Sequence, residues 1–219
     1  MQELFIYGCG GVGNEIAEHI MNNPSYKLKG FIDDNSQIRK CMGFPSWTFE
    51  EVLKMSNKDI NVIISIGEPD IRRKLSEKLE KNGFNEITVD LSEHYNSDFS
   101  TVGQGTLLHH GSYISVNSKI GKSCLINKDS LVGHDCIIGD CTVLSPRVTL
   151  GGNVTVGDNT YIGTGALIRN GINIGNNVIV GMGAVVIKDV EDDSVVVGNP
   201  AKYLRNNETH RVFGQTKKN

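Results

Sequence analysis

From Val102 to Val186 an aliphatic residue recurs at every sixth position without a break: Val102, Leu108, Ile114, Ile120, Ile126, Val132, Ile138, Leu144, Leu150, Val156, Ile162, Ile168, Ile174, Val180 and Val186. An amphipathic helix repeats near 3.6 residues and a half-buried strand repeats at 2. A strict period of six fits neither. It is the pattern of hexapeptide repeats wound into a parallel β-helix. Three hexads make one coil, so residues eighteen apart sit on the same edge of a triangular prism. Two further columns hold the same register. Glycine follows the aliphatic residue in nine of fifteen hexads, at Gly103, Gly121, Gly133, Gly139, Gly151, Gly157, Gly163, Gly175 and Gly181. Such a column is expected where the backbone turns sharply or two backbones approach closely. The position four after each aliphatic is small or apolar throughout, from Thr106 and Ser112 to Ala184 and Val190. Both columns can therefore point inward.

The first ~95 residues follow another rule. Leu4-Phe5-Ile6-Tyr7 is a short apolar run entering Gly8-Cys9-Gly10-Gly11-Val12-Gly13. A helical pattern over residues 14–23 and a strand over 28–32 follow, the strand ending in Asp33-Asp34. Thr48-Phe49-Glu50-Glu51 has the form of a capped helix start. A buried strand is expected over 61–66, ending at Gly67, then a helix over 70–82 and a last strand over 86–91. Alternating strands and helices imply a small Rossmann-like parallel sheet, about half of a full dinucleotide fold. The expected organisation is an α/β domain over residues 1–95, a β-helix over 100–205 and a polar tail over 206–219, with 215–219 partly disordered. The boundary is expected in the polar link near 92–100, and His94 and His210 read as linker and tail residues.

Composition narrows the partners. The net charge of −3 argues against nucleic acid or an anionic membrane as the main one. No run approaches the ~20 apolar residues of a membrane span. The start, Met1-Gln2-Glu3-Leu4, lacks the features of a signal peptide. A cytoplasmic protein is expected. Five cysteines, an odd number without a CxxC pair, argue against a disulfide framework or a zinc site. Cys124 and Cys136 fall in the inward column and read as small core residues.

Two motifs carry chemistry. Gly8-x-Gly10-x-x-Gly13 after a strand and before a helix, with Asp33 about twenty residues on, satisfies the dinucleotide fingerprint. Its glycines let a phosphate approach the backbone at a helix N-terminus. The domain is short for both halves of NAD. A mononucleotide-type ligand such as a nucleotide-linked sugar fits better, and a tight turn with no ligand is the plain alternative. The second motif is His134-Asp135. A turn-side histidine is by default a solvated surface residue, yet histidine is the commonest general base. Eighteen residues on lies Gly152, which would leave room for a thioester and a backbone N–H for an oxyanion. His109 and His110 lie 25 and 24 residues from His134, neither a multiple of eighteen, so a three-histidine metal site is not expected.

The motifs Gly8-Cys9-Gly10-Gly11-Val12-Gly13, Phe31-Ile32-Asp33-Asp34, Val132-Gly133-His134-Asp135-Cys136-Ile137-Ile138-Gly139 and Val197-Gly198-Asn199-Pro200-Ala201-Lys202 resemble the sialic acid O-acetyltransferase family of sugar acetyltransferases. That family includes N-acetyltransferases of nucleotide-linked 4-amino-4,6-dideoxy sugars, such as the bacillosamine, perosamine and viosamine pathway enzymes. The resemblance covers nearly the whole chain. It implies a left-handed β-helix, a homotrimer with sites between subunits, and direct transfer from acetyl-CoA without a metal. It makes His134 the general base, Asp135 its acidic neighbour and Gly152 the residue whose amide meets the acetyl carbonyl. Thr164 and Met182 would line the pantetheine channel. Gly10, Gly11, Val12, Gly13, Asp33, Asp34 and Gly67 would hold the nucleotide-sugar.

The chain departs from the family pattern at three places. Val12 stands where members often carry His, and Asn14 where they often carry Lys or Arg. Val143 stands nine residues after the base, where many have a second His; it is expected beside the cofactor, with one polar contact to CoA or the thioester removed. O-acetylation of a sialic acid or related sugar, and a non-catalytic trimeric scaffold, are the alternatives to N-acetyl transfer.

Overall fold

A computed structural model describes residues 1–55, 60–93 and 96–213. His94 and residues 214–219, including the stretch expected to be disordered, lie outside the described residues. The chain opens with β1 (Gln2–Tyr7), α1 (Gly11–Asn22), β2 (Tyr26–Ile32), β3 (Lys40–Cys41), β4 (Phe44–Trp47), α2 (Phe49–Leu53), β5 (Asn61–Ile64), α3 (Pro69–Lys81) and β6 (Asn85–Glu86). The sheet order is β3-β4-β2-β1-β5-β6, parallel except for the β3–β4 hairpin. That hairpin carries no Asn-Gly or Asp-Gly signal in the sequence. Its two-residue turn, Met42-Gly43, has positive φ at both positions, the type I′ geometry. The capping box at Thr48 is formed: its side chain accepts from the Glu51 amide at 3.3 Å, and the Glu51 carboxylate accepts from the Thr48 amide at 2.8 Å.

The single strand expected over 86–91 is corrected by the structure. β6 pairs with β5 in the first sheet, whereas β7 (Val89–Asp90) pairs with Leu107-Leu108 of the prism. Two residues between them carry the chain from one sheet to the other, so the first sheet gains only a two-residue edge.

Fifteen two-residue strands, from Thr101–Val102 to Val185–Val186, build a left-handed parallel β-helix of three sheets. Each of the first twelve strands pairs with the one eighteen residues on, as in Lys119↔Ile137↔Thr155. The aliphatic column fills the prism, with Ile114, Ile126, Val132, Leu144 and Ile162 fully buried. The inward hydroxyls are satisfied by joining coils. Thr142 Oγ1 donates to the Gly157 carbonyl at 2.8 Å and accepts from the Thr160 amide at 3.1 Å. Ser118 and Thr160 repeat the arrangement. Cys124 and Cys136 occupy the same column and direct their thiols to carbonyls.

The glycine column answers to close approach. A Cβ built on Gly139 would lie 2.6 Å from the Gly157 carbonyl carbon of the next coil. The left-handed residue of each hexad lies two positions further on, at Asn117, Asp129, Asp135, Asn153 and their equivalents. Asn and Asp tolerate that conformation best among non-glycine residues.

One face of the prism is covered by the first domain. Leu107, Leu125 and Val143 point outward from it yet are buried together with Leu4, Ile6, Ile16 and Ile63. Burying such a side chain stabilises by ~1.5–3 kcal/mol. Beside this apolar contact sits Arg72 of α3, wholly buried. It donates to Ile64 and Ile66 carbonyls at 2.9 and 3.0 Å in its own domain, and to Ser123 and Cys124 carbonyls at 2.7 and 3.1 Å in the prism. Burial pushes its guanidinium below the usual range, against the opposing charge of Glu86. The tail also folds back: the Val212 and Phe213 amides donate to the Glu68 carboxylate at 2.7 and 3.0 Å, and Phe213 meets Tyr161 edge-on.

Arg72→Met keeps the volume and removes every donor to four carbonyls. Stability is expected to fall by about 3 kcal/mol, read as a lower urea midpoint for the full chain.

Candidate functional site

The glycine loop divides into structural and open positions. Gly8 has φ +120, and a Cβ there would lie 2.7 Å from Ser65 Oγ and from Ile66 Cδ1. A Cβ on Gly13 would collide with the Gly8 carbonyl oxygen. These two glycines shape the turn. Gly10 and Gly11 face open space, as does Gly67 beyond β5. The first turn of α1 has neither an acidic residue nor a side-chain cap. Its amides remain an electropositive end.

Asp33 acts on the loop itself. Its carboxylate accepts from the Cys9 amide at 3.0 Å and from the Asn35 amide at 3.0 Å. Asp34 accepts from the Tyr7 hydroxyl at 2.8 Å and pairs with Lys78 at 3.3 Å. Burial, and then the hydrogen bond to Asp34, drive the Tyr7 phenol far above its ordinary range. Val12 is half-buried against the core, and Asn14 Oδ1 accepts from the Cys41 thiol at 3.1 Å.

His134 and Asp135 form a fixed pair. The imidazole Nδ1 and Asp135 Oδ2 are 2.7 Å apart. The hydrogen bond from His134, followed by one from Asn117, holds the Asp135 carboxyl below its usual range, so it is ionised near neutrality. An ionised acceptor on Nδ1 leaves Nε2 as the lone-pair nitrogen. That edge of the ring lies over Gly152: a built Cβ would fall on Cε1 and Nε2. The Gly152 amide donates to no acceptor among the described residues.

Thr164 and Met182 are exposed and stacked one coil apart. Their edge follows the strands of Leu108, Ile126, Leu144 and Ile162, while that of His134 and Gly152 follows Ile114, Val132 and Leu150. One whole face of the prism separates them. The glycine-loop helix sides with Thr164 and Met182, because Glu15 of α1 pairs with Lys128 of that edge at 2.8 Å. Val143 belongs to neither edge. It is 1 % exposed under the first domain, so the expectation that it contacts the cofactor is corrected.

The sequence offered no role for His109. It is wholly buried where α1 meets the prism, edge-on to His19 at 5.1 Å, with Nε2 3.8 Å from Glu15. Its Nδ1 accepts from the His110 amide at 2.8 Å. Among the described residues no group of His, Cys, Asp and Glu is arranged to hold a metal ion.

Comparison with known proteins accounts for both parts. The PglD N-terminal domain family matches residues 3–79, and the bacterial transferase hexapeptide (six repeats) family matches 117–152. The structure of WeeI from Acinetobacter baumannii is 34% identical, with a TM-score of 0.86 over 93% of this chain and 100% of that one. The chain belongs to the hexapeptide-repeat sugar acetyltransferase family. It is an acyltransferase. A histidine-to-asparagine variant of perosamine N-acetyltransferase from Caulobacter crescentus, in complex with CoA and GDP-perosamine, superposes with a TM-score of 0.88 at 27% identity. It covers 94% of this chain and 98% of its own. The acetyltransferase domain of PglB from Neisseria gonorrhoeae, in complex with acetyl coenzyme A, gives 0.87 at 29% identity over 93% and 99%.

Burial, and then the charge of His19, push the His109 imidazole down to about 4. The unfolded chain takes up that proton near 6.5, so folding stability is full above 6.5 and is lost as the pH falls towards 4. The loss is roughly 3 kcal/mol by pH 4. In His109→Asn, which retains an acceptor for the His110 amide, the urea midpoint should change less between about pH 7 and 4.5 than in the unaltered chain.

Proposed function

We propose that the protein is an acetyl-CoA-dependent N-acetyltransferase acting on the amino group of a nucleotide-linked 4-amino-4,6-dideoxy sugar. The observation that carries this reading is His134, locked through Nδ1 by an ionised Asp135, with Nε2 over the Gly152 backbone. It is supported by superposition on a perosamine N-acetyltransferase in complex with CoA and GDP-perosamine and on an acetyltransferase domain in complex with acetyl coenzyme A.

In this mechanism the sugar amine attacks the thioester carbonyl as His134 Nε2 takes its proton. The Gly152 N–H donates to the oxyanion. Collapse forms the amide, breaks the C–S bond, and the departing sulfur recovers the proton from His134. Gly10, Gly11, the amides of α1 and Gly67 hold the phosphates and sugar. Asp33 keeps the loop in shape for them. Thr164 and Met182 line the pantetheine. Because these groups and His134 stand on different edges, the working unit is a homotrimer in which one subunit offers His134 to the glycine loop and pantetheine edge of the next. The five free cysteines suit a reducing cytoplasm, and no described helix is long and apolar enough to cross a membrane.

The test is mass-spectrometric detection of acetylated product from acetyl-CoA and a panel of UDP-, dTDP- and GDP-linked 4-amino sugars, with free sialic acid alongside. One amino-sugar should gain an acetyl group. His134→Ala should lower kcat by ~10²- to 10⁴-fold. Product from sialic acid alone would refute N-acetylation.

Gly152→Ala should push the imidazole off its seat and lower kcat by about 10²-fold. The KM for the nucleotide-sugar should stay within about threefold, because that substrate is held elsewhere.

A further inference from the structure

We infer that Asn117 is a positioning residue for the catalytic pair, holding the carboxylate of Asp135 so that it in turn orients His134. The inference rests on the acetyltransferase reading above and adds a member to its site. Asn117 stands one coil before Asp135 on the same prism edge. Both residues have left-handed backbones, with φ of 60 and 57, so their side chains leave the corner in parallel. Asn117 Nδ2 donates to Asp135 Oδ1 at 3.1 Å, while Asp135 Oδ2 meets His134 Nδ1 at 2.7 Å. The two carboxylate oxygens are thus divided between two partners on two coils. The Asp135 amide adds a main-chain tether, donating to the Val116 carbonyl at 3.0 Å.

The division has a chemical consequence. Asp135 is half-exposed, and an exposed carboxylate held by one partner can turn away into water. A second donor on the other oxygen fixes the carboxylate plane. It also favours the ionised form, because a carboxylate oxygen is a stronger acceptor than either oxygen of the neutral carboxyl. An ionised Oδ2 facing Nδ1 keeps the proton on Nδ1 and the lone pair on Nε2, over Gly152. The corner ladder alone does not require this. On another edge, Asn159 donates to Asn177 Oδ1 at 2.9 Å in the same way, with no titratable partner. Among the described residues, only the rung beneath His134 joins an amide to a charged oxygen whose carboxylate also faces an imidazole.

Two substitutions separate positioning from corner architecture. Asn117→Gly removes only the side chain, and glycine adopts φ near 60 without strain. Asn117→Asp is isosteric and also tolerates the left-handed region, but it sets two carboxylates face to face. A residue needed only for the turn would be replaced by either. Both variants of the full chain should therefore keep the unaltered urea midpoint to within a few tenths molar. In Asn117→Gly, kcat should fall about tenfold while the KM for acetyl-CoA stays unchanged. In ¹⁵N-labelled protein, imidazole NMR should show His134 moving from one dominant Nδ1–H tautomer to a mixture. Asn117→Asp should not restore kcat and should displace the acidic limb of its pH profile upward, because an added carboxylate favours the protonated imidazole. Unaltered kcat and an unaltered tautomer in Asn117→Gly would overturn the inference. If the unaltered chain acetylates no amino-sugar yet the tautomer still changes, the positioning of His134 stands and the amino-sugar N-acetyltransferase reading fails.

Discussion

The contact on which everything else depends is the close approach of each coil to the next. Backbone amides such as Ile137 and Val143 donate to carbonyls one coil on, at 2.9 Å. At the corners the approach is so close that a Cβ at Gly121, Gly133 or Gly139 would strike the following backbone. Inward hydroxyls then join successive coils, accepting from one amide and donating to a carbonyl. A buried hydroxyl without such partners costs about 1–3 kcal/mol; here it becomes a tie. The eighteen-residue coil is therefore rigid along its axis, and residues eighteen apart are held face to face.

That rigidity makes the site. His134 rests on Gly152 because the two stand one coil apart, and Asp135 meets Asn117 for the same reason. A loop of equal composition would leave an exposed His-Asp pair free to rotate. Stacking sets the imidazole against the bare backbone of Gly152 on one side, and Asn117 from the preceding coil holds the Asp135 carboxylate that fixes Nδ1.

The first domain is held by a different device. An apolar patch of Leu107, Leu125 and Val143 sets which prism face it covers, and Arg72 joins the two parts through carbonyls on both sides. Because that face is taken, the glycine-loop helix comes to rest against the edge of Lys128, Thr164 and Met182, away from His134. The fold thus places the edge of His134 and the edge beside the glycine loop on the same chain without joining them, which is why the proposed mechanism brings them together from two copies.

Much of this was legible in the residues. A period of six with glycine at the next position can satisfy its backbone and core only as a prism, so the β-helix, its register and the stacking of His134 on Gly152 followed from spacing alone. The Thr48 capping box and the glycine loop were equally local. Other features were not. Val143 has the right spacing from His134 for a ligand contact, but it is an outward position on the face that another domain covers, and burial there is decided by packing between distant segments. Asp33 and Asp34 stand where the resemblance places nucleotide-sugar contacts, and in the fold one carboxylate shapes the loop and the other meets Tyr7 and Lys78. Arg72 and His109 carry no motif, because their surroundings come from chain fifty to ninety residues away. The sequence by itself determined the repeat, the two folds and the His-Asp pair, since those rest on short-range geometry. Only the tertiary structure decided which face is covered, which glycines are open and which edge the glycine loop stands beside, since those depend on surfaces that exist only once both domains are packed.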